Sequence, residues 1–343
     1  VERLSPLVSV LLPVRQWRST TAEAVESLLA QSMSSLEILV IGYDDVQGIL
    51  DRLPDDDRIT GIARQGTGLV AALNTGLAAA KGSYIARMDD DDLAYPTRLE
   101  VQLDYLKAHP EVELCASRVR FVDSEGTTGN VKAGNLQYAK WLNALTSDDD
   151  IQSACYTECP MPHPTWIAHK SVWQGLDGYR DLDGPEDYDL ILRAMITGVV
   201  MGKPEPVLQD WREHSERLTY TDRRYRREAF TRCRAWAASH IGSGLDLHKG
   251  REVWLCGTGR SARYWHDALE DCNVKVRGFV DIKTTDVNRL KREKPVISYQ
   301  DLTQLREDSL VITALSEPAV RARLQRYFDQ QRWKAGQEYI LGA

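Results

Sequence analysis

At 343 residues the chain has room for about two domains of roughly 150 residues each. Apolar residues make up 43% and charged residues 27%, an ordinary globular balance that excludes disorder as the main state. With 43 Lys and Arg against 50 Asp and Glu, the formal charge is −7, so coating nucleic acid is excluded as the main task and no nucleic-acid partner is expected. Six cysteines over this length lack the density of a disulfide scaffold, which fits a reducing compartment. Cys155, Cys159 and His163 recur every four residues, but a fourth zinc ligand is missing. The apolar run Val8–Val14 falls far short of the roughly 20 residues that span a bilayer. No signal-peptide pattern is evident in a sequence that opens at Val1, and a soluble, cytoplasmic protein is expected.

Val8-Ser-Val-Leu-Leu-Pro-Val14 has the pattern of a strand buried on both faces and stopped by proline. Ala24, Leu28 and Leu29 predict a helix over residues 20–31. Leu36–Ile41 is a second strand, 69–80 a helix of small residues, and 83–88 a third strand. Residues 96–109 are helical again, with Leu99, Leu103 and Leu106 on one face. This alternation predicts an α/β fold with a mostly parallel sheet. From Val112 to Pro206 the chain turns irregular and rich in Pro, His, Trp and Asp, which predicts binding loops rather than core. Residues 220–241 read as one basic helix with Arg223, Arg224, Arg226, Arg227, Arg232 and Arg234. Three glycines between Gly242 and Gly250 mark a break. Beyond it lie a strand at 252–256, a Gly257-Thr-Gly259 turn and a helix at 261–271. Strands at 276–280, 296–297 and 310–314 follow, then a closing helix at 317–331. Domains are expected at 1–219 and 250–343, joined by a basic helical linker, 220–249.

Asp89, Asp90, Asp91 and Asp92 stand together at the carboxyl end of the third strand. Four adjacent carboxylates repel one another unless a cation sits among them. In open α/β sheets ligands bind at the carboxyl ends of strands, and in an extended chain residues i and i+2 share a face. Asp89 and Asp91 therefore converge on one ion or one diphosphate, and hard oxygen ligands suit Mg²⁺ or Mn²⁺. The bland reading is a solvated acidic loop that caps the next helix. The stretch LVAALNTGLAAAKGSYIARMDDDDLAYPTRLEVQLDYL, from Leu69 to Leu106, resembles the core of family 2 glycosyltransferases, which have the GT-A nucleotide-sugar fold. The VSVLLPV and LEILVI strands agree with it, and the resemblance spans roughly Val8 to Thr219. It implies a GT-A nucleotide-sugar-binding domain, followed here by a small Rossmann-like α/β domain. It places Asp89 and Asp91 as the Asp-x-Asp pair, with Asp90 between them. Pro13 and Arg15 fall at the donor-binding end of the first strand. The family's Asp-Asp-Gly-Ser turn reads Gly42-Tyr43-Asp44-Asp45 here, which points to Asp44, with Asp45, for the base. Arg64 and Asn74 fall where family members touch the nucleotide; a surface charge and a helix cap are the plainer readings.

Gly184-Pro185-Glu186-Asp187-Tyr188-Asp189-Leu190 precedes an apolar helix, and its carboxylates suit a helix start. The stretch also resembles the family's Glu-Asp-Tyr-Asp-Leu motif, which implies Asp187 as general base with Glu186 beside it. His163-Pro-Thr165 and Gly178-Tyr-Arg180 match family landmarks and imply an acceptor side with His163, Trp166 and Arg180. Trp166 and Trp173 either stack on sugar or fill core. Trp211-Arg-Glu-His214 resembles the Tyr-Arg-x-His ending, which implies His214 in the metal or diphosphate site. The resemblance implies inverting transfer from a nucleoside-diphosphate sugar to a hydroxyl of a glycan, lipid-linked or polysaccharide acceptor, and a UDP-sugar is the donor expected.

Gly257-Thr-Gly259-Arg-Ser-Ala262 fits G-x-G-x-x-[G/A], and Asp281 ends the following strand where a ribose-binding acid is expected. The module resembles Rossmann-like nucleotide-binding modules of polysaccharide-biosynthesis enzymes. It leaves open a second nucleotide site at Gly257, Gly259 and Asp281, or a role in packing and homo-oligomer formation. The arginines leave open a peripheral contact with anionic lipid at the inner membrane face, against a solvated interdomain helix. Two other functions fit the same sequence: a nicotinamide-dependent sugar-nucleotide oxidoreductase and a non-catalytic nucleotide-sugar-binding scaffold.

Overall fold

The computed structural model describes residues 5–43, 45–283, 285–305, 309–315 and 317–342. Contacts gather the chain into two units. The first holds the chain up to Ile151 with Pro160–Asp181 and Val199–Thr221; the second holds Gln152–Cys159, Leu182–Gly198 and everything from Asp222.

In the first unit the strands are β1 (Val8–Val14), β2 (Leu36–Gly42), β3 (Ile59–Ala63), β4 (Tyr84–Arg87), β5 (Leu93–Ala94), β6 (Leu114–Cys115), β7 (Arg118–Val122), β8 (Ile167–His169), β9 (Met201–Gly202) and β10 (Val207–Arg212). The helices up to residue 175 are α1 (Ser19–Leu29), α2 (Val46–Leu50), α3 (Gly68–Ala79), α4 (Arg98–Ala108), α5 (Ala133–Ala144), α6 (Asp148–Ala154) and α7 (Lys170–Gly175). Seven strands form one sheet in the order β3-β2-β1-β4-β8-β6-β9. Its β3-β2-β1-β4 half is parallel. β8 runs antiparallel to both its neighbours, so the sheet is mixed. β10 pairs with β5 and β7 in a separate three-stranded sheet.

β1 and β2 are buried at every position because helices cover both faces. Val10, Leu12, Ile38 and Val40 meet Ala24, Val25 and Leu28 of α1 and Leu99 and Leu103 of α4. The alternate residues Leu11 and Ile41 face α3 so closely that a Cβ on Gly76 would stand 2.9 Å from each. The small residues of α3 thus follow from close packing. The stretch 112–206 is more ordered than its composition predicts. It supplies four strands and four helices, and encloses Trp166 and Trp173 at 0% and 2% exposure. Trp166 therefore fills core, and its expected place as a sugar-stacking surface is corrected on that ground.

The second unit contains α8 (Glu186–Thr197), and α9 (Leu218–Thr221) closes the first. The single basic helix expected over 220–241 is broken. After α9 comes one 3-10 turn, Arg223–Tyr225, and α10 starts only at Arg227 and ends at Ser239. The strands that follow are β11 (Glu252–Cys256), β12 (Val276–Asp281), β13 (Leu290–Lys291), β14 (Lys294–Ser298), β15 (Ser309–Ala314) and β16 (Tyr339–Gly342). Helices α11 (Arg260–Asp271) and α12 (Pro318–Gln330) complete the unit. The sheet order is β13-β14-β12-β11-β15-β16, parallel except at the β13–β14 hairpin. Its core gathers Trp254, Val280, Val311, Phe328, Trp333 and Tyr339.

Candidate active site

The acidic tetrad follows β4, as an apolar strand that ends in carboxylates dictates. Oxygens of Asp89, Asp91 and Asp92 lie within 4.8 Å of one another, the one such group of three among the described residues. Each acid has a different partner. Asp89 pairs with Arg87 at 2.5 Å, Asp90 accepts from the Thr21 hydroxyl at 3.3 Å, and Asp91 meets His214 Nε2 at 2.6 Å. Asp92 accepts from Gln209 Nε2 at 2.8 Å and from the Arg212 backbone N–H at 2.9 Å. The buried Arg98 completes the frame: it donates to Gln209 at 2.6 Å and to the Arg87 carbonyl at 2.7 Å. Asp92 is thus a brace between β4 and β10, whereas Asp89 and Asp91 keep 32% and 18% exposure.

Electrostatics separates the four. Burial, then the charges of Asp91 and Asp89, push the proton affinity of Asp92 well up. Burial and the same two neighbours raise Asp90 to about 8. Asp89 also rises, chiefly through burial, which outweighs the Arg87 guanidinium. Burial pushes Asp91 up too, but the His214 hydrogen bond and the charges of His214, Arg217 and Arg87 prevail, and it falls below the ordinary 3.8. A cluster that resists full ionisation is short of positive charge. All-oxygen donors at this spacing fit a hard divalent cation.

The sequence reading missed Arg18, Arg87 and Arg217 as the cations that face this cluster. Arg87 was within reach of the argument, since the i, i+2 alternation that aligns Asp89 with Asp91 also aligns Arg87. Arg217 depends on tertiary packing: it lies 4.6 Å over Trp211, 5.8 Å over Phe121, and pairs with Glu213 at 3.2 Å. His214 is brought to Asp91 by β10 and the turn after it.

Of the other donor-side candidates, Pro13 is a buried β1 residue and Arg15 is exposed just beyond the strand. Asp44 lies outside the described residues. Asp45 caps α2 by accepting from the Gly48 N–H at 2.8 Å. Arg64 lies 4.4 Å over the Tyr43 ring and donates to the Tyr43 carbonyl at 3.1 Å, at the end of β3. Asn74 clamps the backbone of Tyr179, donating to its carbonyl at 2.8 Å and accepting its N–H at 2.9 Å. Between α3 and this loop opens a cavity of about 410 Å³ lined by Gln65, Thr67, Val70, Asn74, Tyr179 and Asp181. His163 is buried against Trp166 and bonds the Tyr179 hydroxyl through Nε2 at 2.7 Å; Arg180 follows on the same loop, half-buried.

In the second unit Glu186 and Asp187 open α8. Glu186 is 2% exposed; Asp187 is half-buried and accepts from the Tyr188 N–H at 2.7 Å. Gly257 has φ +124°, which a side chain rarely tolerates, and its Cβ would meet the Ala314 carbonyl at 3.0 Å. Gly257 is therefore required by the backbone and its packing, whereas a Cβ on Gly259, which precedes α11, would meet nothing within 4 Å. Asp281 accepts from its own turn, from Lys283 N–H at 3.0 Å, Thr285 Oγ1 at 3.3 Å and Asp286 N–H at 2.7 Å.

Residues 9–172 match the model of the family described as glycosyl transferase family 2. The putative glycosyltransferase EpsE of Bacillus subtilis (strain 168) is 30% identical over 220 residues, 62% of this chain and 74% of that protein. The chain belongs to glycosyltransferase family 2. The O-antigen biosynthesis glycosyltransferase WbnJ of Escherichia coli is 26% identical over 198 residues, 56% of this chain and 73% of WbnJ. Among solved structures, S. aureus TarS 1–349 in complex with UDP-GlcNAc superposes with a TM-score of 0.54 at 14% identity. The match covers 77% of this chain and 80% of that one, a likeness of fold. The family 2 transferase thus has a GT-A-like fold with an added C-terminal sheet domain.

Proposed function

We propose that this glycosyltransferase is inverting and metal-dependent, and moves a sugar from a nucleoside diphosphate, UDP first, to a hydroxyl of a growing surface glycan. The observation that carries the reading is the gathering of Asp89 and Asp91 beside His214 at the end of β4. O-antigen biosynthesis in the name of WbnJ supports the glycan acceptor, and the UDP-GlcNAc in the TarS complex supports the nucleotide. No described helix is long and apolar enough to cross a membrane, and the proposed place of work is the cytoplasmic face. Residues 1–219 would bind donor, with 250–343 as an ancillary Rossmann-like module.

Asp89, Asp91 and His214 would hold Mn²⁺ or Mg²⁺, which when bound neutralises the diphosphate as negative charge develops on it. Arg217, Arg87 and Arg18 add fixed positive charge around the same cluster. Arg64 and the cavity beside Asn74 would take nucleoside and sugar parts of the donor. Asp187 would accept the proton of the acceptor hydroxyl. The acceptor oxygen then bonds to the anomeric carbon from the face opposite the diphosphate, the bond from that carbon to the diphosphate oxygen breaks, and the diphosphate leaves with the electron pair. His163 and Arg180 would frame the acceptor, His163 through the Tyr179 loop.

The deciding experiment incubates the full chain with UDP-glucose, UDP-galactose, UDP-GlcNAc or GDP-mannose, with Mn²⁺ or with EDTA. Nucleoside diphosphate release and thermal shift are measured. Release from one donor that stops in EDTA supports the reading; binding without turnover on every donor would favour a scaffold.

A further inference from the structure

The arginine-rich stretch after Thr221 is built against the loop that opens α8. Arg223 Nε lies 3.4 Å from the Asp183 carboxylate, and Arg232 reaches the same residue at 2.6 Å on its carbonyl and 3.3 Å on its carboxylate. The Cys233 sulfur lies where a Cβ on Gly184 would come within 3.1 Å. The Phe230 ring stands 5.2 Å from Tyr188, and Arg234, itself 4% exposed, donates to the Tyr188 hydroxyl at 2.8 Å and to the Thr157 carbonyl at 2.7 Å. Asp183, Gly184 and Tyr188 are each met by a residue of 223–234. Arg224 turns to Asp222 at 2.8 Å, so four of the six arginines are held by groups of this unit, Arg234 in its interior and Arg223 and Arg232 at its surface.

Glu186 lies in the middle of that grip. The Tyr225 hydroxyl sits 2.9 and 2.8 Å from its two carboxylate oxygens. A carboxylate with 2% exposure needs donors in place of water. Burial, and then the charges of Glu186 and Asp187, hold the Tyr225 phenol far above its ordinary titration range. It therefore stays a donor at every working pH. The acid beside it, Asp187, is the more accessible of the two.

We propose that Tyr225 is a positioning residue for transfer: by holding Glu186 it fixes the first turn of α8, so that Asp187 stands ready to take the acceptor proton. This rests on reading Asp187 as the base. A displacement of about 1 Å at a reacting group costs on the order of 10²-fold in rate, which sets the scale of what the hydroxyl protects.

The test uses the full chain and the most rapidly hydrolysed of the four nucleotide sugars above, with Mn²⁺ and water as acceptor. Tyr225→Phe, Glu186→Gln, their combination and Asp187→Asn are compared by kcat, donor KM and melting temperature. Tyr225→Phe is expected to lower kcat about 10-fold or more with donor KM within about twofold. Added to Glu186→Gln, it should cost no more than about a further twofold, because one residue acts through the other. Three results overturn the proposal: an unchanged kcat in Tyr225→Phe, a loss confined to KM, or full multiplication of the two losses in the double variant. If Asp187→Asn is inactive and Tyr225→Phe is normal, only the positioning role falls. If Asp187→Asn keeps its turnover, the base assignment falls and this inference with it.

Discussion

At the scale of single residues, the acidic tetrad divides labour that its sequence presents as uniform. Asp91 is partly exposed, held ionised by His214 and the neighbouring arginines, and faces outward. Asp92 has no exposure and accepts from Gln209 and from the Arg212 backbone. Removing each should therefore fail differently. Asp91→Ala should lower diphosphate release by about 10²–10³-fold, the loss seen when one electrostatic stabiliser of a transition state is removed. Asp92→Ala leaves two buried donors without their acceptor, and should cost about 1–3 kcal/mol of stability by urea unfolding. An active Asp91→Ala alongside an inactive but fully stable Asp92→Ala would reverse the assignment. Nothing in four consecutive aspartates marks which one turns inward; that is fixed by β10, more than a hundred residues later.

At the scale of elements, two packing facts give tests. Gly76 lets α3 lie on β1 and β2, with Leu11 and Ile41 each 2.9 Å from where a Cβ would be. Gly76→Ala should gain helix propensity but overpack this face, for a net loss of about 1–3 kcal/mol; a variant as stable as the parent would refute the close approach. His163 joins the 3-10 turn His163–Thr165 to the loop of Tyr179, with its ring against Trp166, Nε2 on the Tyr179 hydroxyl and the charge of Arg87 acting on it. Burial, then Arg87, drive its proton affinity well below the ordinary 6.5, so the folded protein keeps it neutral. The unfolded chain takes up a proton as pH falls through about 6.5, and the folded chain does not. This contribution is thus complete above that pH and is lost below it, with a slope that approaches about 1.4 kcal/mol per pH unit. Urea midpoints between pH 8 and 5 should show the slope, and His163→Gln should flatten it. Elements with strong apolar runs were legible in advance: β1, β2, α3, β4, α4, β11 and α11 lie within a residue or two of where periodicity put them. The breaks were not. Residues 220–241 look like one helix because arginine is a good helix former, but the Tyr225 hydrogen bonds to Glu186 and the burial of Arg234 against Tyr188 go with a turn first and a helix only from Arg227. Trp166 and Trp173 lay in a stretch too polar to read as core, and only tertiary contacts enclose them.

At the scale of the whole molecule, each unit places an acid at or just beyond the end of a strand, partly exposed at Asp89 and Asp91 in the first and buried at Asp281 in the second. The candidate site of the first unit was legible because its motifs are local and charged. In the second unit the glycine turn and Asp281 satisfied the same kind of pattern, and the side chains lead elsewhere. Asp281 is 4% exposed and its oxygens receive two backbone N–H groups and a threonine hydroxyl of its own turn. Lys291 ties the glycine turn to the segment after β12, donating to the Thr258 carbonyl at 3.0 Å and pairing with Asp286 at 2.8 Å. A ribose would have to break these bonds to reach the carboxylate, and a buried acid stripped of its donors costs about 1–3 kcal/mol or more. NAD(H) and NADP(H) at about 1 mM should consequently leave the melting temperature unchanged, since a ligand stabilises only as far as it binds the folded state. Asp281→Ala should lower stability by about 1–3 kcal/mol and leave diphosphate release per folded molecule intact. Protection by a dinucleotide that disappears in Asp281→Asn would instead make the end of β12 a working cofactor site and reopen the oxidoreductase reading.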